Sequence, residues 1–318
     1  MKNILHIILI SIISLIVISC AKKSDSSSSS STCTSSDVSF LAVGKSGTLL
    51  TSADGTCWTA QTSGTTNNLR AFAIKPSTIG VVVGYSGTIL TTTDAITWTS
   101  RTSGTSNDIN NVHYNSAGFV AVGDNGTLLV SSDGITWADR TSSCGMTENI
   151  WGISSNSTVA VAVGDNGSIY TSADAGDNCT KRTSGTTAAF NELLSGNSTF
   201  FALGNLGTIL TSSDNGTSWD NRTSGTTNHL YGGIYSEKNA MVGASGTVVY
   251  TEDNGTSWTS WSASSMTTDV FGIAYGSSTW VFVGRSGTIY SAGDSADDVT
   301  ARTSGTTESL RRVFYVGE

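Results

Sequence analysis

Short apolar runs alternate with clusters of glycine, serine, threonine, asparagine and aspartate along almost the whole chain after residue 36. The runs Val81–Val83 and Phe119–Val122 are apolar at consecutive positions, which is typical of strands that are covered on both faces. The clusters between the runs carry the residue types of tight turns. In the representative stretch 69–104, this pattern predicts four short strands, at residues 69–74, 80–84, 88–92 and 97–102.

The same four-strand unit recurs seven times. Each copy contains a V-G-x-x-G-T run or a close variant, whose first glycine falls at Gly44, Gly84, Gly123, Gly164, Gly204, Gly243 and Gly284. These anchor glycines are 40, 39, 41, 40, 39 and 41 residues apart, and the two glycines of each run bracket a predicted two-residue hairpin. A fixed period near 40 residues with four strands per period predicts an all-β fold, a seven-bladed β-propeller with four-stranded blades.

The two ends of the repeat predict how the ring closes. The first copy begins at residues 38–44, which match the second strand of the unit, so this copy has no first strand of its own. The chain ends with residues 310–315, which match a first strand. We therefore expect the C-terminal strand to complete the first blade, which leaves no open sheet edge between the two chain ends.

The turn between the third and fourth strands carries a distinctive motif. Residues 212–219 read SSDNGTSW and residues 251–258 read TEDNGTSW, which match the Asp-box pattern. In such a turn the carboxylate accepts hydrogen bonds from backbone amides, and the glycine permits the tight conformation. The predicted structural aspartates are Asp54, Asp94, Asp133, Asp174, Asp214 and Asp253.

These motifs resemble those of the Asp-box (BNR) repeat propellers, and among them the photosystem II assembly and stability-factor-like propellers, over residues 37–318. The resemblance implies a partner-binding scaffold, because an arginine patch binds the partner in the photosystem assembly factors. Asp boxes are also familiar from sialidases, but this chain has no R-I-P motif and its glutamates stand singly. We therefore expect no catalytic residues and no enzyme activity.

The N-terminal 36 residues have the pattern of an export signal followed by a linker. Lys2 precedes an apolar stretch at residues 4–18, which is shorter than the roughly 20 residues of a membrane span. The stretch ends in V-I-S-C and resembles a bacterial lipobox, which implies lipidation of Cys20. The expected segments are a lipoprotein signal peptide at 1–19, a lipidated cysteine with a serine-rich tether at 20–36 and the propeller at 37–318. The expected location is the bacterial cell envelope, lipid-anchored in the outer membrane on its periplasmic or surface side.

Export places the other cysteines in a compartment where disulfides persist. Cys33 and Cys57 fall on the same face of the first blade, so we predict that they pair. Cys144 precedes a first strand whereas Cys179 opens a fourth strand, at opposite ends of a sheet. A strand of five residues spans about 17 Å, far beyond the roughly 7 Å that separates bridged Cα atoms, so these two cysteines are expected not to pair.

Candidate binding residues stand where the repeat varies most, at the start of each first strand. Because the fourth-to-first and second-to-third connections share one face of a propeller, these side chains should surround the mouth of the central channel. The candidates are Arg70, Trp151, Tyr231, Phe271 and Arg311, with Arg285 from a second-to-third turn. Interfaces favour arginine and large aromatic residues. The equal alternative is that these residues merely plug the channel.

Charge and composition narrow the function classes. The net charge of −8 argues against nucleic acid as a partner. The sequence has no clustered metal ligands and no phosphate-binding loop, so we expect no metal and no cofactor. The predicted function is a monomeric, non-enzymatic lipoprotein that binds a protein or glycan partner in the cell envelope, as an assembly scaffold. The alternatives are a glycan-binding or sialidase-like glycan-cleaving surface protein and a structural surface component.

Overall fold

Seven four-stranded antiparallel sheets follow one another around a closed ring in the computed structural model, which describes residue 33 and residues 37–235, 239–261, 265–294 and 298–317. The innermost strand of each sheet packs against the innermost strands of both neighbouring sheets. The molecule is therefore a seven-bladed β-propeller, which confirms the predicted fold. The expected signal peptide and Cys20 lie outside the described residues. Within the described part of the chain, no helix has the length and apolarity needed to cross a membrane.

The strands are numbered along the chain, and each blade is given from its innermost to its outermost strand. Blade 1 contains β28 (Leu310–Tyr315), β1 (Phe40–Gly44), β2 (Leu49–Ser52) and β3 (Thr59–Ala60); blade 2 contains β4 (Leu69–Lys75), β5 (Ile79–Gly84), β6 (Ile89–Thr92) and β7 (Thr99–Arg101); blade 3 contains β8 (Ile109–Asn115), β9 (Gly118–Gly123), β10 (Leu128–Ser131) and β11 (Ala138–Asp139); blade 4 contains β12 (Ile150–Ser155), β13 (Ala160–Gly164), β14 (Ile169–Ser172) and β15 (Thr180–Arg182); blade 5 contains β16 (Phe190–Gly196), β17 (Thr199–Gly204), β18 (Ile209–Ser212) and β19 (Asp220–Arg222); blade 6 contains β20 (Leu230–Tyr235), β21 (Asn239–Gly243), β22 (Val248–Tyr250) and β23 (Thr259–Trp261); blade 7 contains β24 (Val270–Gly276), β25 (Thr279–Gly284), β26 (Ile289–Gly293) and β27 (Thr300–Arg302). A helical turn, α1 (Thr141–Cys144), follows β11.

The C-terminal strand closes the ring. Strand β28 pairs antiparallel with β1, and Leu41 lies opposite Phe314 in the register. Blade 1 is thus built from both ends of the chain, as predicted. The pairing ties the last strand to the first, so a shift of either strand would break the core contacts of blade 1.

Consecutive apolar side chains fill the gaps on both sides of a blade. Val81 and Val83 lie in one core cluster with Phe119 of blade 3, whereas Val82 lies in another cluster with Leu41 of blade 1. All five side chains are essentially inaccessible to solvent. Burial of each valine stabilises the fold by about 1.5–3 kcal/mol. The prediction that both faces of these strands are covered is confirmed.

The anchor glycines mark a close approach between two backbone segments. A Cβ atom built on Gly84 would lie 2.2 Å from the carbonyl oxygen of Asn68, so no side chain fits there. The turn that follows an anchor is longer than the predicted two-residue hairpin. In blade 1 it is the 3₁₀ turn Lys45–Gly47, in which Ser46 has a left-handed φ of 53°. The turn has one residue more than predicted, and the anchor glycine before it stays against the neighbouring backbone.

Each Asp box is a turn held by its carboxylate. Asp133 Oδ1 accepts hydrogen bonds from the backbone N–H groups of Thr136 and Ile135, both at 2.8 Å, while Trp137 Nε1 donates to the Gly134 carbonyl at 3.1 Å. The N–H groups of Thr136 and Ile135 lower the pKa of the Asp133 carboxyl to about 2, because they stabilise its charged form. The carboxylate likewise accepts a backbone N–H bond at Asp54, Asp94, Asp174, Asp214 and Asp253. The tryptophan bond to the glycine carbonyl recurs at Trp58 and Trp219.

We expect the propeller to lose stability as the pH falls from about 4 to about 2. The pKa of Asp94, Asp133 and Asp214 is about 2 in the folded state, below the unfolded value near 3.9. The unfolded state therefore takes up protons first, so the stabilisation is complete above pH 4 and is lost on acidification. Thermal melting followed by circular dichroism measures this loss. Asp133→Asn should melt below the natural chain at pH 7 and converge with it near pH 2; a difference that stays constant with pH would contradict the assignment.

Four cysteines form two disulfides. Cys33 is bonded to Cys57 with their Cα atoms 5.8 Å apart, which is the predicted pair. Cys144 is bonded to Cys179 with their Cα atoms 4.8 Å apart. The expectation that Cys144 and Cys179 do not pair is therefore wrong.

The expectation was wrong because it took the distance between the two cysteines along one sheet, whereas the cysteines belong to neighbouring blades. Cys179 stands at the Asp-box position that Trp219 occupies in blade 5, and side chains at this position lie in the gap toward the preceding blade. The helical turn α1 leads the chain out of blade 3 and buries Cys144 in the same gap, against Leu128. The disulfide thus joins blades 3 and 4 where a tryptophan would otherwise pack.

Candidate functional site

The candidate site is the channel mouth, formed by the second residue of each innermost strand together with the turns that join the second and third strands. The backbone bulges at this second residue in the innermost strands, which frees the side chain from the regular alternation of the sheet. Around the ring from blade 2 to blade 1, the residues are Arg70, Asn110, Trp151, Asn191, Tyr231, Phe271 and Arg311.

Arg70 reaches across blade 3 to an aromatic residue of blade 4. Its guanidinium carbon lies 5.1 Å from the ring centroid of Trp151 and 5.7 Å from that of Tyr85, within the range of cation–π attraction. Burial lowers the pKa of Arg70 to about 10, and the nearby charges of Arg312 and Arg311 act in the same direction. Arg70 therefore remains a cation at neutral pH, but it is held with little water around it.

Arg311 forms a second cluster with the aromatic residues of blades 6 and 7. Its guanidinium carbon lies 4.7 Å from the ring centroid of Phe271, and the Tyr231 ring lies 5.3 Å from the same ring. Burial lowers the pKa of Arg311 as well. Arg285 stacks at 6.0 Å on Phe271 but is also ion-paired with Asp269. The structure therefore brings the candidates together in two groups, Trp151 with Arg70 and the other aromatic residues with Arg311.

Two carboxylates of blades 3 and 4 line the mouth on the side that Arg70 reaches, and both accept hydrogen bonds from neutral donors. Asp124 Oδ1 accepts a hydrogen bond from Asn110 Nδ2, and Asp165 Oδ1 accepts one from Trp151 Nε1, both at 2.8 Å. The charge of Asp124 favours the cationic form of Arg70, so acidic and basic groups are neighbours in this part of the mouth. No described carboxylate lies within ion-pairing distance of Arg70 or Arg311.

Leu206 is a further residue of the mouth that the sequence analysis did not select. It lies in the second-to-third turn of blade 5, where its side chain is 69% exposed and its φ is +56°. A left-handed conformation is unfavourable for leucine. The signal was in the repeat, since the corresponding residues are Ser46, Ser86, Asn125, Asn166, Ser245 and Ser286. An exposed leucine at such a position gives the mouth an apolar contact point.

A buried ion pair lies one residue deeper and plugs the channel below the mouth. An Arg312 terminal nitrogen lies 2.5 Å from Glu192 Oε2, and the two side chains are 17% and 9% exposed. Asn111 Nδ2 donates to Glu192 Oε1 at 3.1 Å, and Arg312 also donates to the Phe271 carbonyl at 2.9 Å. The pair joins blade 5 to blade 1 across the ring. Its two charged side chains therefore fill the channel below the mouth residues.

Glycines at the same level make room for this pair. A Cβ atom on Gly152, Gly232 or Gly272 would lie within 3 Å of the neighbouring blade's innermost backbone. The inner strands approach each other there, and the large side chains from the other blades fill the axis. Beneath the pair, a cavity of about 470 Å³ continues through the channel and includes His113 in its wall. Burial lowers the pKa of His113 to about 4, so this imidazole is neutral at pH 7.

Among the described residues, the mouth and the channel show no recognisable set of metal or cofactor ligands. Within the described ranges, no group of three or more histidine, cysteine, aspartate or glutamate side chains is placed to hold a metal ion. The Asp-box carboxylates are committed to their own turns. The chemistry available at the mouth is recognition by cations, aromatic rings and one exposed leucine.

The chain is similar to known proteins in its three-dimensional structure. No protein-family model matches the sequence, and no curated protein matches it. Among solved structures, YCF48 bound to D1 peptide is 17% identical, with a TM-score of 0.63 over 79% of this chain and 94% of that chain. YCF48 from Cyanidioschyzon merolae is 15% identical, with a TM-score of 0.60 over 73% of this chain and 84% of that chain. At these identities the likeness is one of fold, and the chain shares the propeller fold of YCF48.

Proposed function

We propose that the chain is a non-enzymatic binding or assembly module that engages a protein partner through the channel mouth. The observation that carries this proposal is that Arg70 and Arg311 are half-buried cations stacked on aromatic rings, with no described carboxylate paired to either. The proposal includes lipidation of Cys20, which would hold the propeller at a membrane of the bacterial cell envelope.

Two guanidinium groups that pair with no carboxylate of the described residues favour a partner segment that carries a carboxylate. Burial has already removed part of their hydration, so a partner carboxylate would gain charge-assisted hydrogen bonds, each contributing about 1.5–3 kcal/mol. Arginine and aromatic residues are also those that dominate binding energy at protein interfaces. Leu206 would supply an apolar contact on the rim.

The structural neighbours support the same choice. YCF48, which shares the fold, has been solved with a D1 peptide bound, so a propeller of this fold does bind a protein segment. The carboxylates of Asp124 and Asp165 beside Arg70 would orient such a segment, because a like charge placed against them is disfavoured.

The test uses the full chain as bait in an envelope extract, beside Arg70→Glu with Arg311→Glu. We expect the charge reversal to reduce retention of the specific partner at least about tenfold, and retention by the natural chain to fall as salt rises. Leu206→Ser restores the residue type that the repeat uses, so it should keep the fold and weaken binding.

Lys75→Glu is the matched control, since it reverses a charge at the far end of the innermost strand β4. It should leave retention unchanged. Equal retention by the natural chain and the mouth variants would place the site elsewhere, and binding that does not respond to salt would exclude the arginine-centred mechanism.

A further inference from the structure

A groove between blades 3 and 4 opens on the face opposite the channel mouth. Its volume is about 420 Å³, within the range of sites for small ligands. Three parts of the two blades form it: the loops at 115–117 and 156–160, the outer part of blade 3 at 130–138, and the Asp-box turn of blade 4 at 172–175. The groove is independent of the mouth residues.

The groove lies where blade 4 lacks a bridge between blades that blades 5 and 6 have. In blades 5 and 6, the residue after the box aspartate bridges to the preceding blade: Asn215 Oδ1 accepts from Asn156 Nδ2 at 2.8 Å, and Asn254 Nδ2 donates to Thr199 Oγ1 at 3.1 Å. Blade 4 has Ala175 at this position, and an alanine side chain cannot form such a bridge. The gap toward blade 3 is therefore left open.

Ala175 adopts a left-handed conformation, as Ala95 does after the box aspartate of blade 2. Its φ is +56°, close to the +60° of Asn215 and the +56° of Asn254. Asparagine tolerates this left-handed conformation, whereas alanine is strained in it. Blade 4 therefore has the turn conformation of blades 5 and 6 without the asparagine that bridges to the preceding blade there.

The groove carries no charge. None of its lining residues has an ionisable side chain, and its surface combines hydroxyl and amide groups with the partly exposed ring of Trp137. Trp137 is held in place because its Nε1 donates to the Gly134 carbonyl at 3.1 Å. An ionic ligand would lose hydration here without gaining an opposite charge.

We propose that this groove binds a neutral oligosaccharide. The apolar C–H face of a sugar ring packs on an indole ring, and sugar hydroxyls exchange hydrogen bonds with side chains such as Ser132, Thr136, Ser157 and Thr158, which line the groove at exposed positions. The glycan site and the protein-binding mouth lie on opposite faces, so both can be occupied at once.

The test is the full chain on an array of neutral oligosaccharides (β-1,4-linked N-acetylglucosamine and glucose oligomers, and α-1,4-linked glucose oligomers), with sialylated glycans as charged comparisons. Calorimetry on the retained sugar then compares two variants of one residue. Ala175→Asn introduces the residue type that bridges in blades 5 and 6, so it should raise the melting temperature by about 2–4 °C and weaken binding at least about tenfold. Ala175→Gly relieves the same strain but leaves the groove open, so it should keep the affinity.

Trp137→Ala should abolish binding, and the pair at residue 175 keeps the test decisive if that variant folds poorly. Three outcomes overturn the proposal: no neutral sugar is retained by the natural chain, only sialylated glycans are retained, or Ala175→Asn and Ala175→Gly bind equally well. Because none of these variants touches the mouth, the partner test by Arg70 and Arg311 stands or fails separately.

Discussion

Replacing Arg312 with methionine is expected to destabilise the folded propeller by about 3–5 kcal/mol at pH 7. Methionine keeps most of the apolar stem of arginine but removes its charge, and the Glu192 side chain is only 9% exposed. Glu192 would then keep only neutral donors, the Asn111 amide and the backbone N–H of Leu193. An uncompensated charge would remain in the channel. Urea unfolding followed by tryptophan fluorescence measures the loss.

The double variant Arg312→Met with Glu192→Gln separates the missing charge from the missing volume. Because it removes both charges, it should recover most of the stability that the single variant loses. Asp220→Asn, which breaks the exposed pair with Arg222, is the matched control and should change stability by no more than about 1 kcal/mol. If Arg312→Met also lost less than about 1 kcal/mol, water in the channel would be solvating Glu192, and the pair would not be holding the inner strands.

The architecture was predictable because the same local signals recur along the sequence, the anchor glycine in all seven blades and the Asp box in six. Gly84 and its counterparts each stand where a backbone carbonyl leaves no space for a Cβ atom, and each Asp box closes its own turn. These are local causes that can be recognised within one period of the chain. The closure of blade 1 followed from the same logic, since residues 310–315 match the strand that residues 38–44 lack.

The side-chain partners were less predictable because they depend on contacts between blades. Arg70 stacks on Trp151 across blade 3, where the smaller Asn110 donates to Asp124. Arginines and aromatic residues can be selected from the sequence by type and placed on one face. How they group depends on which neighbouring side chains leave space between them. The pairing of Glu192 with Arg312 across the ring had no signal in the repeat apart from glycines at the same strand position in other blades.

Removing the disulfide between blades 3 and 4, by Cys144→Ala with Cys179→Ala, should destabilise the propeller by about 4 kcal/mol. The two cysteines are 35 residues apart in the sequence, and a closed loop of this length restricts the unfolded chain by about that amount. The variant also loses apolar contacts in the gap, where Cys144 packs with Leu128 and Tyr170. Urea unfolding of the oxidised natural chain and the variant, in parallel, measures the difference.

The variant Cys144→Ala with Cys179→Trp tests whether the disulfide takes the place of a packed tryptophan. In blade 5, Trp219 packs against Val161 of blade 4 and donates to the Gly216 carbonyl at 3.0 Å, so a tryptophan at residue 179 should fill the equivalent gap and recover about 2 kcal/mol over the double alanine variant. Recovery would show that the tryptophan wedge and the covalent link solve the same packing problem between adjacent blades. A tryptophan variant less stable than the double alanine variant would show instead that this gap is too narrow for the ring. The small residues of blade 4 would then be a requirement of its shape, and the disulfide would be the cross-link that this narrow gap allows.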